Sequence, residues 1–160
     1  MRAAGRRAGG FTFIELMMTL AIMGVMVTVA VPLAQLAHQR QKEHDLRLAL
    51  AQIREALDAF KRASDQGRIP ARLGESGYPK SLAQLVDGVD DQRSPARQKI
   101  YFLRRVPADP MATGAGDPAD SWALRSYASP PDDPSEGEDV FDVYSRSSKQ
   151  GLNGVPYRQW

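Results

Sequence analysis

The sequence predicts an α+β fold: one long N-terminal helix, membrane-spanning in its first half and amphipathic in its second, packed on a small antiparallel sheet. Three observations carry this expectation. An uncharged run extends from Leu16 to Ala37, an apolar stripe of helical period follows it, and the rest of the chain breaks into short turn-bounded runs of β-type residues. At 160 residues the chain is the size of one ordinary domain, so a single globular core is expected beyond the apolar run.

Residues 1–10, MRAAGRRAGG, are short, basic and end in glycine, and FTFIELMMTLAIMGVMVTVAVPL follows at once. A secretory signal has its small-residue cleavage site after the apolar core. Here the glycines come first, so a cut after Gly10 would leave the apolar stretch on the mature chain. A helix of about 20 residues, at ~1.5 Å per residue, crosses the ~30 Å hydrocarbon layer. Residues 11–37 are therefore expected to form a transmembrane and assembly helix. Arg2, Arg6 and Arg7 precede it, and the next arginine or lysine is Arg40. The positive-inside bias puts the leader, 1–10, in the cytoplasm and the head across the membrane.

Glu15 is the acidic exception beside this run. A carboxylate in hydrocarbon costs ~2.5 kcal/mol or more unless it reaches an interface or a partner. Two readings fit. Glu15 pairs with the amino group that cleavage creates on Phe11 of a neighbouring subunit and so sets register, or it snorkels at the cytoplasmic interface of a single-span anchor. Pro32 removes a backbone donor near the membrane exit and is expected to kink or loosen the helix, with Gly24 a second weak point and a place for close helix approach.

The string Gly10-Phe11-Thr12-Phe13-Ile14-Glu15, the unbroken apolar helix and Pro32 resemble the class III signal of type IV prepilins and pseudopilins. The resemblance implies a pilin-like fold, cleavage between Gly10 and Phe11 by a prepilin peptidase, N-methylation of Phe11, and an assembly role for Glu15 and Pro32. Phe13 stands where that family usually has an aliphatic residue.

Leu46, Leu50, Ile53, Leu57 and Phe60 recur at spacings of four, three, four and three, one stripe of a helix. Arg47, Arg54, Glu55, Asp58 and Lys61 lie between them, with Asp58 and Arg62 spaced as an i,i+4 pair. The helix is thus expected from about Phe13 to Ala63, its part 38–63 amphipathic, ending before Gly67 and Pro70. The head, 64–160, holds most of the prolines and glycines. Tyr78 to Leu85 reads as a proline turn entering a short helix capped by Ser81. Lys99 to Leu103, Trp122 to Tyr127 and Val140 to Tyr144 read as strands, the last alternating as a half-buried strand does.

The pieces YPKSL, RRVPADP, DSWALRSYASPPDD, DVFDVYS and GLNGVPYRQW are similar to the major, G-type pseudopilins of type II secretion systems. This implies a head of one helix on a three-stranded sheet and a subunit that polymerises into a periplasmic pseudopilus. It also implies as partners the minor pseudopilins, the inner-membrane secretion platform and the prepilin peptidase. Such heads often bind calcium in the C-terminal loop, and hard cations need several oxygen ligands. Here the loop Ser145 to Pro156 offers Ser145, Ser147, Ser148 and Asn153 but no acidic residue, and Lys149 adds a positive charge. A calcium loop and a plain hydrogen-bonded loop both remain open. The acidic run Asp132, Asp133, Glu136, Glu138 and Asp139 is interleaved with proline and glycine and reads as a solvated loop.

Composition excludes other classes. Taking Arg2, Arg6 and Arg7 from the 21 basic residues leaves 18 against 19 acidic ones, so the body carries no excess positive charge for a nucleic acid. No cysteine is present, which rules out disulfides, thiolate metal sites and a cysteine nucleophile. His38 and His44 stand six residues apart and do not share a helix face as metal ligands would. No nucleophile elbow, phosphate loop or paired catalytic histidine occurs in the head. The expected function is a structural one: a subunit of a secretion pseudopilus. The alternatives are a surface pilus subunit and a membrane-anchored binding module that does not polymerise.

Overall fold

The computed structural model describes residues 10–70, 74–96, 98–114 and 116–160. The leader residues 1–9, with Arg2, Arg6 and Arg7, lie outside these. The chain divides into two compact units, Met1–Gln39 and Arg40–Trp160.

Helix α1 runs from Phe13 to Asp65, 53 residues, through Gly24 and Pro32 without a break in its helical assignment. Pro32 has no N–H to give the Thr28 carbonyl one turn back, and the Thr28 hydroxyl donates to the Val25 carbonyl at 2.7 Å. The helix ends two residues later than expected, for a local reason. Gly67 adopts φ +68°, its N–H reaches the Ser64 carbonyl at 2.8 Å, and the Arg68 N–H reaches that of Ala63 at 2.9 Å. This pair of bonds closes a helix C-terminus through a left-handed glycine.

The predicted stripe is the floor of the core. Leu46, Leu50, Ile53, Leu57 and Phe60 are all buried, with Ala49, Ala56 and Ala63 beside them. Leu82, Leu85, Leu103, Val106, Trp122, Val140, Val143 and Tyr157 from the head complete the cluster. On the polar side the expected Asp58 to Arg62 pair is not among the ion pairs of the described residues; Lys61 pairs with Asp65 instead. Arg54, still partly exposed, reaches from the helix and ties it to the head. Its guanidinium bonds Asp142 at 2.8 Å, the Val143 carbonyl at 3.3 Å and the Trp160 carbonyl at 2.8 Å.

The head carries helix α2 (Ala83–Asp87) and four short strands: β1 (Val89–Asp90), β2 (Lys99–Ile100), β3 (Trp122–Arg125) and β4 (Asp142–Ser145). They form two antiparallel pairs, β1 with β2 and β3 with β4, rather than the three-stranded sheet expected. The reason lies after Ile100. Phe102 and Leu103 both donate their N–H groups to the Leu85 carbonyl, at 3.0 and 2.9 Å, so the run bends to close the end of α2 and leaves the ladder. In β4 the inward residues are Val143 and Ser145, with Asp142 and Tyr144 less covered. Val140 is buried ahead of the strand, held by its N–H on the Pro79 carbonyl at 2.7 Å.

Ser81 does not cap α2 through its side chain, as the sequence predicted. The entry is made by i→i+3 backbone bonds, Gln84 N–H to the Ser81 carbonyl and Leu85 N–H to that of Leu82, both 3.2 Å. Beyond α1, Asp91 anchors the loop between β1 and β2. It accepts from the Arg68 guanidinium at 2.6 Å and from the Arg93 N–H at 2.9 Å. The Arg68 bond, then the Arg93 N–H, hold its carboxyl below the ordinary carboxylate value.

Candidate processing and assembly site

The first turn of α1 is built by Thr12. Its carbonyl accepts the Leu16 N–H at 3.2 Å, and its hydroxyl oxygen accepts the Glu15 N–H at 3.3 Å. Thr12 is thus the N-cap, relieving one of the donors that a helix start leaves unpaired. Threonine at the cap and glutamate three residues on form the T-x-x-E pattern of a capping box. The box is closed on one side only. Among the described residues the Glu15 carboxylate has no partner, and it is exposed.

Gly10 and Phe11 precede the cap, outside the helix and exposed. No backbone hydrogen bond engages either residue among those described. From Phe11 through Leu33 the large apolar side chains are uncovered, Phe11 at 83% and Met26 at 69%. An apolar surface of this extent on every side of a helix is stable against lipid or against other apolar helices, not against water. By length and composition α1 can cross a membrane, and Glu15 is the one acidic residue in its first two dozen positions.

The C-terminal loop is organised by its own backbone. The Ser145 hydroxyl is buried, donates to Asp109 Oδ2 at 2.6 Å and accepts the Ser147 N–H at 3.1 Å. Ser147 Oγ accepts the Lys149 N–H at 3.4 Å, and Asn153 Oδ1 accepts the Val155 N–H at 3.1 Å. Three of the four oxygens considered for calcium are therefore already engaged, and Ser148 remains. Asp109 is also occupied, since its Oδ1 takes the Met111 N–H at 2.8 Å. Among the described residues no group of three or more histidine, cysteine, aspartate or glutamate side chains is placed to hold a metal. This donor set does not fit a hard cation, which needs several free oxygen ligands.

What holds the loop to the helix is Glu43, which the sequence reading did not single out. It is buried, and its Oε1 accepts the Leu152 N–H at 2.8 Å and the Tyr157 hydroxyl at 3.0 Å. Its position was readable: it stands three residues before Leu46, on the stripe itself. Glu43→Ala strands two donors and is expected to destabilise the head by about 2–3 kcal/mol, with Glu43→Gln losing less because an acceptor remains. Urea unfolding followed by tryptophan fluorescence measures both. The histidines take no part in the site; His38 and His44 are exposed on α1.

Residues 5–31 match the prokaryotic N-terminal methylation motif. The match spans the presumed cut, Glu15 and most of the exposed apolar helix. No curated protein and no solved structure matched the chain. The motif is a type IV pilin-like prepilin signal and supports the pilin and pseudopilin superfamily, whose members are structural, non-enzymatic subunits processed by prepilin peptidase and assembled into polymers.

Proposed function

From a type IV pilin-like, membrane-anchored chain, we propose a structural subunit of a type II secretion pseudopilus, the fibre that supports protein export across the outer membrane. The leader is cytoplasmic and the head periplasmic. A prepilin peptidase cuts between Gly10 and Phe11, Phe11 is N-methylated, and its amino group pairs with Glu15 of the next subunit. Residues 11–37 serve first as the membrane anchor and then as the packed centre of the polymer, where Pro32 eases the transfer. The inner-membrane platform and the minor pseudopilins are the further partners. The observation that carries this reading is a single exposed carboxylate on the otherwise apolar, uncovered first half of α1, inside the matched motif. The absence of cysteine favours the pseudopilus over a surface pilus with a disulfide-closed head.

Mass spectrometry of the protein from membranes of cells with and without a prepilin peptidase tests it. The expected product lacks residues 1–10, carries one methyl on Phe11, and accumulates only when the peptidase is present. An uncut chain, or a cut after the apolar segment, would return the protein to a membrane-anchored binding module. Filaments displayed on the cell surface without any secretion defect in a deletion strain would assign it to a surface pilus.

A further inference from the structure

The peptide bond to be cut lies two residues before the helix, and what keeps it there is a side chain. A peptidase takes its substrate in extended form, so a scissile bond inside a helix must unwind before it reacts. Two residues here can cap: threonine and glycine rank about equally at the N-cap, far above alanine or valine. With Thr12 as the cap, the helix begins at Phe13 and Gly10–Phe11 stays free of it. With Gly10 as the cap, Phe11 becomes the first helical residue and the bond is drawn into the helix start.

We propose that Thr12 is the positioning residue for maturation: its hydroxyl, bonded to the Glu15 N–H, sets the helix start so that the Gly10–Phe11 bond remains extended for the peptidase. The proposal rests on processing at Gly10, as the proposed function does. Two observations favour it. The Thr12 carbonyl and hydroxyl both accept first-turn N–H groups, at 3.2 and 3.3 Å, whereas Gly10 and Phe11 make no backbone bond among the described residues. The role belongs to the hydroxyl as an acceptor, not to its shape. Valine has the same shape as threonine and cannot cap, while asparagine differs in shape and caps as well or better.

The test uses the full-length precursor in detergent micelles with prepilin peptidase, measuring kcat/KM for cleavage. Thr12→Val is expected to lower it by about 2- to 30-fold, the factor by which losing a cap shifts the choice of helix start. Thr12→Ser and Thr12→Asn are expected to cleave like the unaltered chain. Phe13→Pro added to Thr12→Val restores cleavage without any hydroxyl, because proline at the first helical position pins the start and keeps residue 12 extended. Phe13→Pro alone, with Thr12 intact, cleaves normally.

Thr12→Val cut at the unaltered rate would overturn the proposal. So would Thr12→Asn slowed as much as Thr12→Val, since the peptidase would then be reading side-chain shape, and so would a double variant that stays slow while Phe13→Pro alone is fast. If the unaltered precursor is not cut at Gly10 at all, the processing reading fails, and this inference with it. Normal cutting of the unaltered chain with insensitivity at position 12 sinks the inference alone.

Discussion

Glu15→Ala is expected to yield a chain that is inserted, cut and found in the membrane but absent from filaments. The carboxylate costs the lone helix ~2.5 kcal/mol or more at the bilayer, so its removal makes insertion easier, not harder. What the proposed pairing with the Phe11 amino group of the next subunit would lose is its carboxylate. If that pairing recovers the ~2.5 kcal/mol, each subunit contact weakens about 70-fold, and a polymer that repeats the contact along its length does not persist. Glu15→Asp keeps the charge but shortens the reach and is expected to be intermediate. Shearing of cells that overproduce the subunit, followed by quantitation of subunit in the sheared and membrane fractions, measures the outcome. Filaments of unchanged yield from Glu15→Ala would mean that the carboxylate only snorkels at the interface, and register would have to come from the head.

The head responds most to Trp122→Ala. Trp122 is wholly buried at the start of β3, and its indole N–H donates to the Pro107 carbonyl at 2.7 Å. Removing a buried indole costs about 3–5 kcal/mol, from lost burial and from the cavity left behind. Folded domains are stable by about 5–15 kcal/mol in total, so this variant is expected to populate unfolded head at ambient temperature. Trp122→Phe fills part of the space but leaves the Pro107 carbonyl unpaired, and should lie between. Urea midpoints of the two variants against the unaltered chain give the ranking. A loss under about 1 kcal/mol for Trp122→Ala would show that the pocket collapses around the smaller side chain. Cleavage at Gly10 is expected to survive both changes, because the matched signal lies in residues 5–31.

The two halves of the chain differed in how much of them could be read beforehand. Helix α1 was readable within two residues because each of its signals is local: an uncharged run, a stripe at spacings of three and four, and Gly67 past the end. The same locality made Thr12 and Glu43 recoverable in principle. Thr12 stands three residues before Glu15 in a capping pattern, and Glu43 stands on the stripe. Neither stands out by itself, because the one reads first as part of a processing signal and the other as an ordinary surface charge of an amphipathic helix.

In the head the sequence reading found β-type runs but placed them in one sheet. The short run from Lys99 looked like a strand of five residues, yet only Lys99 and Ile100 pair. Phe102 and Leu103 are drawn off by the Leu85 carbonyl, and the partner strand Val89–Asp90 is too short to show alternation. The absence of an acidic residue in the C-terminal loop was visible directly, but that its serine and asparagine oxygens serve the backbone was not.

The sequence alone thus determined the long helix, its apolar first half, the glycine before it, the buried stripe of its second half and the α+β class, since all of these follow from composition and period within a few residues. Only the tertiary structure decided which strands pair, that Arg54 grips Asp142 and the Trp160 carbonyl, and that Glu43 holds the C-terminal loop. Glu43 meets Leu152 and Tyr157 across 109 and 114 residues of chain. A contact over such a separation leaves no periodic trace, because it is selected by how whole elements pack and not by the propensity of either segment.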